Sequence, residues 1–452
     1  MRRVVVTGVG PVSSIGIGKE DFWENAVQGK GYFRQVDFDD VDLQQYRSTA
    51  CSPVDGFDHA RYLEEPGKLK RAGRATRFSV VGTVLALRDA GLQPVPAGAS
   101  SGAASGSGES RERGYHVPGL DTLRCGVVLG QSMSNTDVML PNHVRFLQHR
   151  GPKRVSPVTL PESNVNVGAS TVAEWFGLQG TNLTVSTACS SATHAIGTAA
   201  LSIMNGTDDL IITGGAEAPI GSYFFSGFDI IGALSRRENP ASASRPFDRD
   251  RDGFVLGEGA GILVLEELEH ARARNAPIYG ELIGYGFSAD AYNIVAPDPR
   301  GTAAINAVRK TLAMGRVSPG EVEYINAHGT STVLNDPNET YIIKQVFGDG
   351  AYRIPVSSSK SFFGHTIGAA GGLESIVTLL AMARGVIPPT SNLENPDLEY
   401  VDRSAPDLDK RCDLDYVARC SRRQRVDLAL NQSFGFGGQN GALLFAALNG
   451  EG

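Results

Sequence analysis

The chain has 452 residues, 41% hydrophobic and 20% charged, which suits a globular protein of two or three domains or one large duplicated α/β unit. A formal net charge of −7 argues against general nucleic-acid affinity, and no apolar run approaches the roughly 18–20 residues that a membrane span needs. The five cysteines are scattered, with no CxxC pair and no disulfide framework, so a reducing cytoplasm is the expected compartment.

Val4-Val5-Val6 predicts a short first strand, followed by a plain turn at Gly8-Val-Gly10 that lacks the third glycine of a nucleotide loop. Residues 19–28 have helical periodicity and stop at Gly29. A basic cluster of Lys68, Lys70, Arg71, Arg74 and Arg77 leads into an amphipathic helix ending at Gly91. Such a cluster is usually a solvated helix face, the alternative being a dock for an acidic partner. Residues 93–120 are rich in Gly and Ser and predict a mobile surface insertion. Cys125-Gly-Val-Val-Leu129-Gly130 and Leu210-Ile-Ile-Thr213 predict buried strands.

Between these strands lies Val185-Ser-Thr-Ala-Cys189-Ser-Ser, then a small-residue helix that Asn205-Gly206 stops. Cys189 is thus placed at a helix N-terminus, where unpaired N–H groups and the dipole favour a thiolate. A buried structural thiol fits the local sequence as well.

In the block Ser244 to Gly261, Asp248, Asp250, Asp252 and Gly253 mimic a calcium loop. Glu258 falls one residue short of the closing position and no helix pair flanks the block, so no metal site is expected. Two long-period echoes suggest duplication. Gly435 to Phe445 repeats the glycines-then-strand design of Gly257 to Leu265, and the helix from Gly368 to Arg384 matches the one after Cys189. The halves then span 1–274 and 275–452. Two histidines sit at strand-to-helix turns of the second half, His328 in Asn326-Ala-His-Gly-Thr330-Ser-Thr332 and His365 in Lys360-Ser-Phe-Phe-Gly-His365.

These segments, with Thr187-Ala-Cys189-Ser-Ser, Asp250 to Gly261 and Asn431-Gln-Ser-Phe-Gly-Phe-Gly-Gly438, resemble the β-ketoacyl-acyl-carrier-protein synthases of the Cys-His-His type. That type comprises elongating synthase II and the related ketosynthase α subunits. The resemblance covers nearly the whole chain in the family's order. It implies an α/β thiolase fold whose duplicated halves form a five-layer αβαβα sandwich. It also implies decarboxylative Claisen condensation of an acyl chain on Cys189 with malonyl-carrier protein, in fatty acid or polyketide biosynthesis. No cofactor is implied beyond the phosphopantetheine of the carrier. The implied partners are acyl carrier protein and either a second copy of the chain or a chain-length-factor subunit.

By the same resemblance the oxyanion donors are the backbone N–H groups of Cys189 and Phe434, and His328 and His365 stabilise the enolate left by decarboxylation. Lys360 and Glu339 are implied to form a supporting ionic pair, and Thr330 and Thr332 to bind the pantetheine arm. Met133 and Phe228 are implied to line an acyl pocket gated by Phe434. The chain departs from common synthase II sequences at 93–120, at about 398–411 between Asn395-Pro-Asp397 and Cys412, and at Val333, where proline is frequent. A degradative thiolase needs a second cysteine that Asn431-Gln-Ser-Phe lacks, and chain-length factors usually lack the nucleophile retained here as Cys189.

Overall fold

The computed structural model describes residues 1–64, 66–97 and 114–448. The first half contributes strands β1 (Val4–Ser13), β2 (Cys125–Gly130), β3 (Asn182–Val185), β4 (Leu210–Glu217) and β5 (Gly259–Glu267). The second contributes β6 (Gly280–Ala289), β7 (Tyr324–Asn326), β8 (Val356–Ser357), β9 (Leu428–Gly435) and β10 (Gln439–Ala446). They form one path in the order β8-β7-β9-β10-β6-β1-β5-β4-β2-β3.

Outward from the centre, each half places its first, fifth, fourth, second and third strand. In each half the two inner pairings are antiparallel and the two outer ones parallel. A strand order repeated in sequence and in sense is the duplication expected of a thiolase fold. The halves are stitched antiparallel where Val5 faces Glu281 and Val6 faces Gly280.

Helices complete the layers. α1 (Arg74–Asp89) and α2 (Val167–Phe176) pack on the outer face of the first half, and α3 (Ser191–Met204) fills its inner face. α4 (Thr302–Gly315) and α5 (Asn335–Phe347) cover the outer face of the second half, while α6 (Ala370–Arg384) joins α3 between the sheets. Small residues let the central helices approach: a Cβ on Gly371 would fall 2.1 Å from Thr193 Oγ1. Contrary to the expectation that no run nears membrane-span length, Ile367–Arg384 is long and apolar enough to cross a membrane, but 89% of it is buried in this central layer, as befits a core helix.

Two expectations change. The first strand does not end at Val6. It runs to Ser13 with a bulge between Val6 and Gly8, and all ten of its residues are buried. Gly8 and Gly10 are packing residues, since a Cβ there would lie 2.2 Å from Ala86 O and 2.0 Å from Gly82 O on α1. In the segment 93–120, residues 98–113, where mobility was expected, lie outside the described residues. On either side of them Val95–Pro96 pairs with Tyr115–His116, and Tyr115 is buried against Phe176.

Candidate active site

Cys189 sits between β3 and α3, only 6% exposed. The turn is stapled by its serines: Ser191 Oγ receives the Thr187 N–H at 2.9 Å and donates to Ala188 O at 2.6 Å. Ala188 is forced into the left-handed region, with φ of 51°. The other two site turns share this feature: Ser331 follows His328 with φ of 68°, and Ile367 follows His365 with φ of 50°. Non-glycine residues there cost on the order of 1–3 kcal/mol each and persist only where packing over-determines them.

His328 and His365 face one another edge to face, ring centroids 5.5 Å apart, and line one pocket of about 300 Å³ with Cys189. Lys360 Nζ donates to His328 O at 2.6 Å and lies 3.3 Å from His328 Nδ1. The Ile367 N–H donates to His365 Nδ1 at 3.3 Å. With both Nδ1 atoms accepting, the hydrogen-bond network assigns each proton to Nε2, making both rings donors. The acidic block that mimics a calcium loop seats His365 instead. Val255 O accepts the His365 N–H at 2.7 Å, and His365 O accepts the Gly257 N–H at 2.9 Å. Asp248 is fully buried and receives N–H groups of Asp250, Glu394 and Asn395.

Electrostatics separates the three groups. Burial holds both imidazoles well below the ordinary histidine value, and the Lys360 charge pushes the same way. Burial also pushes the Cys189 thiol up to about 11, against the opposing Lys360 charge and the Phe436 backbone N–H. Desolvation is the largest of these influences and favours a thiol over the expected thiolate.

Four expected site features need correction. Lys360 forms its ion pair with Glu374 on α6, not with Glu339. Glu339 instead receives the His328 and Gly329 N–H groups, each at 2.7 Å, and Gln432 Nε2 at 2.8 Å. It holds the His328 turn by hydrogen bonds, and its burial pushes its carboxyl up to about 7. Glu374, the acid that sequence reasoning missed, is the one carboxylate within apolar α6, and that oddity was its signal.

The second correction concerns Phe434, which belongs to β9 opposite Asn440 and stacks edge-on against His328 at 5.8 Å. The backbone N–H directed at the thiol is that of Phe436, two residues on. The Phe436 ring packs with Cys189 and Phe228 in one apolar cluster, and both Phe434 and Phe436 line the pocket.

Third, Arg74 is no free docking charge. It grips Glu258 through Nε at 2.9 Å and Nη2 at 2.6 Å, donates to Val54 O and packs over Phe57 and Phe78. Arg77 is half-buried, its guanidinium on Ala72 O and Lys70 O, which leaves Lys70 and Arg71 exposed; the Lys68 side chain is outside the described residues. Fourth, Met133 packs in the apolar cluster around Cys189, while Phe228 lines the pocket itself. Thr330 and Thr332 line the pocket with their hydroxyls 2.8 Å apart.

A thiol at the head of a central helix, two imidazole donors opposite it and duplicated halves define a thiolase-fold condensing enzyme. Comparison with known proteins gives the particular family. The family model for the β-ketoacyl synthase N-terminal domain matches residues 1–271, and that for the C-terminal domain matches 279–394. The chain belongs to the β-ketoacyl synthase family. It is 40% identical over 445 residues to the 3-oxoacyl-[acyl-carrier-protein] synthase 2 of Synechocystis sp., covering 98% of both chains. A ketosynthase bound to the hexaketide, solved in complex with its type II polyketide acyl-carrier protein, superposes with a TM-score of 0.84 at 30% identity, covering 99% of this chain and 100% of that one. The ishigamide ketosynthase/chain length factor does so with a TM-score of 0.81, also at 30% identity and with the same coverage.

Proposed function

We propose that the protein is a β-ketoacyl-acyl-carrier-protein synthase that elongates an acyl chain held on Cys189. The observation that supports this most is the shared pocket of Cys189, His328 and His365, with both ring protons on Nε2. In the first half-reaction the Cys189 thiol attacks an acyl thioester. The Cys189–acyl bond forms, the carrier sulfur leaves, and it takes up the proton that Cys189 loses. The N–H groups of Cys189 and Phe436 suit the oxyanion that forms in between.

In the second half-reaction a malonyl thioester loses CO2. The electron pair moves onto its thioester oxygen as an enolate, which the two Nε2–H groups stabilise by donating hydrogen bonds. The enolate carbon attacks the acyl–Cys189 carbonyl, the new C–C bond forms, and Cys189 leaves and regains a proton from solvent. Neutral imidazoles suit this task, and burial beside Lys360 keeps them neutral. The reading needs no resident cofactor: both substrates arrive on the phosphopantetheine arm of an acyl carrier protein, for which exposed Lys70 and Arg71 offer a basic dock in a reducing cytoplasm.

The likeness to ketosynthases solved with a carrier or a chain length factor supports a second reading, a ketosynthase α subunit paired with such a factor in place of a second copy. Intact-mass measurement after mixing with an acyl-carrier protein tests the first half-reaction, which predicts one acyl adduct. A wild-type chain that stays unmodified overturns the reading. Addition of malonyl-carrier protein should then discharge the adduct as a β-ketoacyl product.

A further inference from the structure

Residues 398–411 take no part in this chemistry, yet they contact residues behind or beside two partly exposed stretches of the pocket wall. One stretch of wall is Thr332, Val333 and Leu334, and the other is Val295, Ala296 and Pro297. The first wall is held from behind by Arg251, whose side chain is 2% exposed. Its Nε donates to Thr332 O at 3.0 Å and its Nη2 to Val333 O at 3.2 Å. Its Nη1 donates to Asp248 O at 2.9 Å and to Asp397 Oδ2 at 2.7 Å. A planar fork on two successive carbonyls fixes a loop that needs fixing, because the neighbouring Ser331 is left-handed.

Tyr400 covers this guanidinium, with Cζ 5.5 Å from the ring centroid. The segment that carries Tyr400 is closed on itself by Lys410, which is 2% exposed and donates to Asp402 at 2.6 Å. Further along, Asp407 lies 3.7 Å from Arg300, beside the second wall. Both partners of that pair are exposed, so it contributes little in salt, and the weight falls on Tyr400.

We propose that residues 398–411 are a brace that acts through Tyr400 on Arg251 to hold Thr330 and Thr332 where the phosphopantetheine arm of a carrier-borne substrate binds. Tyr400 and Arg251 are then positioning residues. The arm-binding part rests on the function proposed above, whereas the bracing of the loop does not.

The test compares Tyr400→Ala and Tyr400→Phe with the wild-type chain on malonyl-carrier protein and on malonyl-N-acetylcysteamine, which lacks most of the arm. Tyr400→Ala should raise KM for the carrier substrate about three- to tenfold, the range of a partly desolvated cation–ring contact. Its kcat, and its KM for the short thioester, should stay near wild type. Tyr400→Phe, which keeps the ring, should restore the wild-type KM. Hydrogen exchange at residues 330–334 should quicken in Tyr400→Ala and return to wild type in Tyr400→Phe. Equal KM changes on both thioesters, a Tyr400→Phe as impaired as Tyr400→Ala, or unchanged exchange at 330–334 would each overturn the brace. A wild-type chain inert on both thioesters would overturn the functional reading alone, with exchange at 330–334 still deciding the brace.

Discussion

The two halves share a strand order and differ in what the corresponding loops carry. In the first half the passage from the third strand into the central helix holds Cys189. In the second, the matching passage from β8 into α6 holds Lys360 and His365. After the second strand of each half, one loop supplies the apolar side chain of Met133 and the other supplies His328, Thr330 and Thr332. Duplication thus brings matching loops together where α3 and α6 touch, and divergence has given the nucleophile and most of the apolar cluster around it to one half and the two imidazoles to the other. One cation reaches across: the Lys360 charge lowers the affinity for protons of Cys189, His328 and His365 alike.

If the halves divide the work in this way, breaking each should stop a different half-reaction. Cys189→Ala should show the largest effect, with no acyl adduct by intact mass while decarboxylation of malonyl thioester persists. His328→Ala or His365→Ala should do the reverse. The adduct should form, and condensation should fall about 10²- to 10³-fold, the usual cost of removing one oxyanion donor, as read by product formation. Lys360→Ala should strand Glu374 as a buried unpaired carboxylate and cost about 3–5 kcal/mol in denaturant unfolding. Glu339→Gln, whose remaining oxygen still accepts the His328 N–H and which strands chiefly the Gly329 N–H, should cost less, about 1–3 kcal/mol.

The smallest effect should be that of pH. Both imidazoles are held below the ordinary 6.5, so the unfolded chain binds protons that the native one does not once pH falls through that value. Their contribution to stability is therefore full above pH 6.5 and is lost progressively below it. The condensation rate should accordingly show no histidine step near 6.5. Alkylation of Cys189 by iodoacetamide should instead keep rising from pH 7 through 10, because its thiol titrates near 11. A plateau near 8.5 would show that burial does not govern the thiol.

The architecture was legible because glycine runs, small-residue helices and Cys/His turns recur in both halves and are written locally. What was not legible depends on contacts across the chain. Lys360 and Glu374 are fourteen residues apart across a turn, so no helical spacing pairs them, whereas Glu339 stands eleven residues past His328 and serves that turn's backbone instead. Phe434 and Phe436 are indistinguishable in a Phe-Gly-Phe-Gly run; only the end of β9 at Gly435 puts one in the ladder and the other over the thiol. Arg74 reads as one more surface cation until Glu258, far along the chain, is placed against it. The thiol's ionisation could not be read from the helix terminus because burial, an opposing effect, is set by the whole apolar cluster.

The left-handed residues Ala188, Ser331 and Ile367 make the pocket a sprung assembly, one in which each turn would relax if the surrounding packing loosened. Such turns let go at lower free energy than the strands behind them. On a denaturant gradient the ability of Cys189 to accept an acyl group should therefore vanish before the circular dichroism of the sheet begins to change. The chain would then fail as a catalyst while still looking folded.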